Sequence, residues 1–266
     1  MHLKIKHTTS YHYQTPASYA LQQIRLRPLA NKAQKILSWE LSLEGAEPQV
    51  QFMDQFENHV DLILLKPDAK DVVISFEGEV ETYPTSGVAG QHNEPMPLWF
   101  YKHQTALTKN EIGVSELVKD IGSTSPDNLQ ALHQLSALIL SRVSYQTGET
   151  NTFTTAEQAI MAGKGVCQDH THIFVSAARE LGFPARYISG YLMMNERIDQ
   201  EASHAWAEAY VDGLGWVGFD VSNGISPDER YVQIARGLDY RDAAPSTGVI
   251  IGAQQENLVV SIQVQQ

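Results

Sequence analysis

Apolar and polar side chains alternate towards both ends of this chain, whereas apolar residues at helical spacing occur in its middle. The first alternating segment includes Leu3, Ile5 and His7. Further short runs are separated by proline, glycine, aspartate and asparagine: 24–27, 39–43, 52–65 and 72–80. A period of two is typical of half-buried strands, and several such runs indicate a small antiparallel sandwich or sheet. The sequence therefore predicts a β-rich N-terminal domain over residues 1–105.

Three segments with helical spacing follow a proline- and glycine-rich stretch, 83–97, which we interpret as a linker. They cover residues 125–143, 154–163 and 167–182. Residues 125–127 (Ser-Pro-Asp) are predicted to cap the first helix, because proline suits the first helical position. Residues 154–157 (Thr-Thr-Ala-Glu) match a capping box and predict the start of the second helix.

The alternating pattern returns after the helices, which predicts strands at 186–194, 202–211 and 216–221 and in a tail at 258–264. Helices placed between two β-rich stretches indicate the α+β class. We therefore expect a second domain over residues 106–266, in which helices pack on an antiparallel sheet and the tail supplies the closing strand.

Composition restricts the partners of this chain. Its 19 Lys and Arg against 31 Asp and Glu give a net charge of −12, and no basic cluster is present to neutralise a row of phosphates. This argues against nucleic acid and anionic membrane surfaces as partners. A single cysteine excludes an intrachain disulfide and favours a cytoplasmic setting. The N-terminus alternates like a strand, which argues against a signal peptide.

That single cysteine, Cys167, lies where a loop containing Gly163 and Gly165 runs into the third predicted helix. A helix start concentrates unpaired N–H groups and the positive end of the helix dipole, and both stabilise a thiolate. His204 and Asp220 follow downstream. A nucleophile, a base and an acid that could orient the base occur in that order, which indicates a cysteine-nucleophile enzyme.

A predicted β-hairpin joins the base to the acid, because the turn pair 212–213 (Asp-Gly) lies midway between His204 and Asp220. With the glycine left-handed in a bulged loop, Tyr210 would pair with Leu214, and His204 would lie opposite Asp220. Opposed side chains have Cβ atoms about 4.5–5.5 Å apart, which permits a hydrogen bond.

The two faces of this hairpin differ in character, and a slip by one residue would exchange them. One face would pack in a core and consists of Ala205, Ala207, Ala209, Val217 and Phe219. The other face would line a cleft and consists of His204, Trp206, Glu208, Trp216 and Asp220.

Four stretches carry a specific combination of motifs: 165–169, 181–191, 203–208 and 215–220. In combination they resemble the transglutaminase-like superfamily, in particular its bacterial branch of candidate cysteine proteases. Segments 7–11 and 54–58 resemble the β-rich domain that precedes the core in that branch, and 235–252 resembles its end region. The resemblance implies a papain-like core and a Cys-His-Asp triad. It also implies acyl transfer at an amide without a metal or organic cofactor.

Matched by position, the resemblance makes Cys167 the nucleophile, His204 the general base and acid, and Asp220 the residue that orients His204. The substrate would be a protein or peptide with a carboxamide or peptide bond. The branch usually has Pro-Thr-Asn after this aspartate, whereas this chain has Val221-Ser222-Asn223.

An oxyanion formed at Cys167 would need hydrogen-bond donors. We expect the backbone N–H of Cys167 to supply one, and Gln168, Tyr145 and Trp206 are candidates for a second. The two tryptophans of the hairpin, Trp206 and Trp216, are expected to shape the cleft wall.

Several functions remain open on the sequence alone. Relatives with such a site hydrolyse peptides, deamidate or transfer acyl groups to amines, and others have lost catalysis and only bind a peptide or protein. A metal-dependent hydrolase is a further class, because Asp169, His170 and His172 lie near the cysteine in sequence. No HExxH or paired-cysteine pattern supports a metal site, and Asp169 and His172 could share a helix face that His170 does not.

Overall fold

The computed structural model describes residues 1–122, 128–194, 197–252 and 254–266. A β-sandwich packs beside a core in which helices cover a third sheet. This is the α+β arrangement that the sequence predicts. Within the described ranges, no helix is both long and apolar enough to cross a membrane.

Six strands of the N-terminal region build most of the sandwich: β1 (His2–Thr15), β2 (Tyr19–Ile24), β3 (Gln34–Glu44), β4 (Ala46–Met53), β5 (His59–Leu65) and β6 (Asp71–Thr82). One sheet contains β1, β3 and β6, and the other contains β2, β4 and β5. Alternation in β1 buries Leu3 and leaves Lys4 exposed. Apolar side chains of both sheets, such as Phe76 and Ile63, meet in one core between them.

Residues 52–65, predicted as a single strand, contain a turn between β4 and β5. Asp54 forms this turn, because its Oδ1 accepts the backbone N–H groups of Phe56 and Asn58, both at 2.9 Å. Aspartate side chains bend the chain in this way by replacing a backbone acceptor. The chain also passes through positive φ at Glu57, which interrupts the strand.

The middle of the chain contributes most of the helices. Its elements are β7 (Val88–Gly90), a short 3-10 helix (Leu98–Lys102), α1 (Ile112–Ile121), α2 (Leu129–Arg142), β8 (Ser144–Tyr145), α3 (Ala156–Ala162), β9 (Lys164–Gly165) and α4 (Cys167–Glu180). The α1 helix was not predicted from the sequence. The predicted cap at 125–127 lies outside the described residues. The described part of α2 is capped by Asn128, whose Oδ1 accepts the Ala131 N–H at 3.0 Å.

The α3 helix begins one residue later than the sequence predicts. Thr155 Oγ1 accepts the Gln158 N–H at 3.2 Å, and Gln158 Oε1 accepts the Thr155 N–H at 2.9 Å. These two bonds are a capping box, displaced by one residue from the predicted pair of Thr154 and Glu157. Glu157 serves another purpose, because its carboxylate accepts the backbone N–H of Gly113 at 2.7 Å.

The core sheet contains β7 and four later strands: β10 (Ala185–Leu192), β12 (His204–Val211), β13 (Gly215–Phe219) and β14 (Tyr231–Gly237). Their order is β14-β10-β12-β13-β7, and neighbouring strands are antiparallel. Part of segment 83–97, predicted as a linker, is therefore the edge strand β7. The α4 helix is buried along most of its length and packs on β12.

The C-terminal elements return to the sandwich. They are α5 (Tyr240–Ala243), β15 (Ser246–Ile251) and β16 (Gln254–Gln265), and the short strand β11 (Asp199–Gln200) lies earlier in the chain. β16 pairs along the length of β1, and β15 pairs with β2. The tail strand therefore forms as predicted but closes the sandwich rather than the second domain, because its Ile262 and Val264 pack with Leu3.

One apolar cluster joins the sandwich to the core. It contains Leu3 and Ile262 from the sandwich and Tyr191 and Val232 from the core sheet. Cys167 packs against this same cluster. The first residue of α4 is therefore held close to the junction of the two parts.

Candidate active site

Cys167 is the first residue of α4, and its thiol is partly exposed. The turn that precedes it is fixed by Asp169, whose Oδ2 accepts the Val166 N–H at 2.7 Å. Residue 165 must be glycine here, because a Cβ at that position would lie 2.6 Å from the Asp169 Cβ. The thiol is consequently presented at the positive end of the helix dipole.

His204 bridges the cysteine and the aspartate. Its Nε2 lies 2.6 Å from Asp220 Oδ2, and Cys167 is close enough to raise the pKa of the ring. Because Nε2 is bound to Asp220, Nδ1 is the ring nitrogen available to the thiol. Burial lowers the pKa of His204, but the interactions with Asp220 and Cys167 outweigh this and raise the pKa to about 10. The structure thus favours an imidazolium between a carboxylate and a sulfur.

Asp220 is completely buried. Its Oδ2 accepts hydrogen bonds from Asn223 Nδ2 and from the Tyr231 hydroxyl, both at 2.7 Å, in addition to His204. Burial raises the pKa of Asp220, but its partners, led by His204, hold it below its usual value. A buried carboxylate with these donors stays ionised.

Pairing in the hairpin is displaced by two residues from the prediction, so that Val211 lies opposite Gly215. Asp220 has left this ladder, since its backbone exchanges hydrogen bonds with Ile225 at 2.8 and 3.2 Å. A displacement by two residues keeps every side chain on its face. His204 and Asp220 therefore meet through side chains on the same side, as predicted, although they are not paired residues.

The second face of the hairpin is buried instead of lining an open cleft as predicted. Trp206, Glu208 and Trp216 are 3%, 4% and 1% exposed. Glu208 accepts a hydrogen bond from Arg186 Nε at 2.7 Å, and the Arg186 guanidinium lies 4.0 Å from the Trp216 ring centroid. Of the two tryptophans, Trp206 is the one that lies beside His204, with ring centroids 6.4 Å apart.

The remaining sequence candidates have separate surroundings. His170 contacts Ser222 Oγ and the Val143 carbonyl, and His172 Nε2 accepts the Tyr240 N–H. Burial lowers the pKa of both histidines, that of His172 to about 4. Across the described ranges, no group of three or more His, Cys, Asp or Glu side chains is arranged to hold a metal ion.

Two further neighbours complete the site. Tyr145 is half exposed, and burial raises the pKa of its hydroxyl, with a further contribution from Cys167. It therefore lies within electrostatic range of the thiol. Tyr231 was missed at the sequence level, because an aromatic residue in a strand gives no local sign that it contacts an aspartate eleven residues earlier.

The raised pKa of His204 predicts a pH-dependent contribution to stability. Its ordinary value is 6.5 and its folded value is about 10, so the stabilisation is complete below about pH 6.5 and is lost as pH rises towards 10. We expect the difference in unfolding free energy between the wild type and His204→Gln to shrink over this range in urea titrations. His7→Gln is the control, because the pKa of His7 is lowered to about 4 by burial. Above pH 6.5, His7 is mostly neutral in the folded and the unfolded protein, so the His7→Gln difference should stay constant. If the His204→Gln difference in unfolding free energy were also constant over this range, the prediction would be contradicted.

Comparisons with known proteins agree with this architecture. Residues 115–221 match the sequence model of the transglutaminase-like superfamily, and residues 3–81 match that of the bacterial transglutaminase-like N-terminal region. An uncharacterised protein of Mycobacterium leprae is 24% identical over 281 residues, with 98% of each chain covered. An uncharacterised protein of Mycobacterium tuberculosis H37Rv is 26% identical over 286 residues, covering 98% of this chain and 91% of the relative.

A solved structure shares the fold along the whole chain. It is a candidate cysteine protease from Cytophaga hutchinsonii, with a TM-score of 0.77 and 20% identity, covering 100% of this chain and 98% of the other. The two matched regions correspond to the sandwich and to the helices and strands that carry Cys167, His204 and Asp220. The chain therefore carries a transglutaminase-like core after a bacterial transglutaminase-like N-terminal region.

Proposed function

We propose that this protein is a cysteine-nucleophile enzyme that acts on amide or peptide bonds through a thioester. The single observation that carries the proposal is the position of His204, whose Nε2 is hydrogen-bonded to Asp220 and whose pKa is raised by the neighbouring Cys167. A base that contacts a nucleophile and is oriented by a third group is the general arrangement of activated-nucleophile catalysis. The substrate we propose is a protein or peptide.

In the first half-reaction, Cys167 Sγ attacks the carbonyl carbon as a thiolate and forms the C–S bond. The C–N bond then breaks as His204 gives its Nδ1 proton to the leaving nitrogen. The acyl group remains on sulfur as a thioester, and an amine or ammonia departs. Asp220 keeps its charge throughout and stabilises the imidazolium before this transfer.

In the second half-reaction, water or an amine attacks the thioester while His204 accepts its proton. The C–S bond breaks, and the thiolate and imidazolium are restored. Water yields a carboxylic acid, which corresponds to protease or deamidase activity, whereas an amine yields a new amide. The backbone N–H of Cys167, one of the unpaired donors at the start of α4, would stabilise the oxyanion in both steps.

The test uses the fact that Cys167 is the only thiol in the chain. Its alkylation by iodoacetamide at mildly acidic pH, followed by intact mass, reports this residue alone. We expect alkylation of the folded protein to be at least about tenfold faster than that of the same chain unfolded in urea. Peptide mapping of a glutamine-like electrophilic probe should then locate the label on Cys167. A folded-state rate no higher than the unfolded-state rate would contradict an activated nucleophile and favour the alternative of a binding module.

A further inference from the structure

Tyr231 contacts the site through Asp220. It is the first residue of β14, and its hydroxyl donates to Asp220 Oδ2 at 2.7 Å. The same oxygen is 2.6 Å from His204 Nε2. The tyrosine and the histidine therefore share one acceptor atom on a carboxylate that is fully buried.

The ring of Tyr231 encloses this hydrogen bond together with Trp206. Its centroid lies 6.0 Å from that of His204 and 5.4 Å from that of Trp206. The side chains are almost entirely buried, with Tyr231 at 5% and Trp206 at 3% exposure. Hydrogen bonds are electrostatically stronger where water is excluded, so each donor to Asp220 has a large effect on the others.

Tyr231 is suited to act as a permanent donor. Burial raises the pKa of its hydroxyl, and the neighbouring Asp220 carboxylate raises it further. The hydroxyl consequently stays protonated over the range in which a cysteine-histidine pair works. Its ring is fixed by Trp206 and His204, which limits the directions in which the hydroxyl can point.

We propose that Tyr231 is a positioning residue, whose hydroxyl holds the Asp220 carboxylate in line with His204 Nε2 and withdraws part of its negative charge from the imidazole. The role of this alignment in turnover rests on the proposed function, whereas its effect on His204 does not. Because Tyr231 also donates a hydrogen bond to Oδ2, Asp220 stabilises the protonated form of His204 less strongly. His204 can then release its Nδ1 proton to a leaving group more readily than an unshared carboxylate would allow.

The test is the titration of His204 by NMR in a protein that carries Cys167→Ala, so that the imidazole titrates against Asp220 without the thiol. Adding Tyr231→Phe removes the hydroxyl and keeps the ring. Because Asp220 Oδ2 then directs more of its charge at His204, we expect the midpoint of His204 to rise by roughly half a pH unit or more. Tyr191→Phe is the matched control, since its buried hydroxyl contacts His7 Nδ1 at 2.9 Å and should leave the His204 midpoint unchanged.

An unchanged midpoint in folded Tyr231→Phe would overturn the proposal, even if the variant were less stable. Should the variant not fold, 3-fluorotyrosine at position 231 gives the opposite test, because a more acidic hydroxyl is a stronger donor. The His204 midpoint is then expected to fall, and no change would overturn the proposal. Alkylation of Cys167 is measured separately. An unreactive wild-type thiol would contradict the proposed enzyme function. A reactive thiol combined with an unchanged His204 midpoint in Tyr231→Phe would contradict only the role of Tyr231.

Discussion

Replacing Cys167 with serine is expected to reduce acyl transfer by about a thousandfold or more, because a hydroxyl is far less acidic than a thiol. A serine hydroxyl must lose its proton as it attacks, whereas cysteine attacks as a thiolate. The substitution changes one atom at a partly exposed position, so we expect the unfolding temperature to change by only a few degrees.

The measurement is the release of ammonia and of new amino termini, and the incorporation of a fluorescent primary amine, with casein as the acyl donor. The three readouts separate deamidation, proteolysis and transamidation in a single protein. Wild-type turnover that survives in Cys167→Ser by any of these readouts would assign the activity to another residue or to a contaminant. A control variant at an exposed position in the sandwich strand β16, Leu258→Ala, should retain the full rate.

The contact between His204 and Asp220 could be predicted from the sequence, because a strand period of two places both on one face of a hairpin. The exact pairing could not be predicted. The loop 212–214 is followed by Gly215, which has a positive φ and whose missing Cβ allows contact with the Gly90 carbonyl. Gly90 comes from a segment predicted as a linker, so the local pattern held no information about this contact.

The placement of β16 has the same explanation. Its alternation predicts a strand but is equally compatible with an edge of either sheet. The partner, β1, lies some 250 positions earlier in the chain, and such long-range pairing is decided by which edge buries Ile262 and Val264. Burial of the Trp216 face also depends on a distant residue, since Arg186 and Glu208 form the ion pair beneath it.

Asp220→Asn is expected to lower turnover by about a hundredfold to ten-thousandfold, while the fold is retained. A single oxygen of the carboxylate, Oδ2, accepts hydrogen bonds from His204, Asn223 and Tyr231. An amide group in its place carries no charge and would meet these donors with an NH2 group or with one weaker acceptor. His204 would lose one of the two partners that outweigh its burial. Its pKa should therefore fall, and less of the imidazolium needed for leaving-group protonation should be present.

The matched control for this prediction is Asp228→Asn. Asp228 lies in the same loop region and binds Arg230 at 2.6 Å rather than the histidine. We expect Asp228→Asn to retain most of the wild-type rate and Asp220→Asn to lose both turnover and the rapid alkylation of Cys167. The pH-dependent stabilisation between about pH 6.5 and 10 should weaken only in Asp220→Asn, because of the two carboxylates only Asp220 is hydrogen-bonded to His204. Equal turnover in the two variants would mean that the buried carboxylate does not orient a catalytic base.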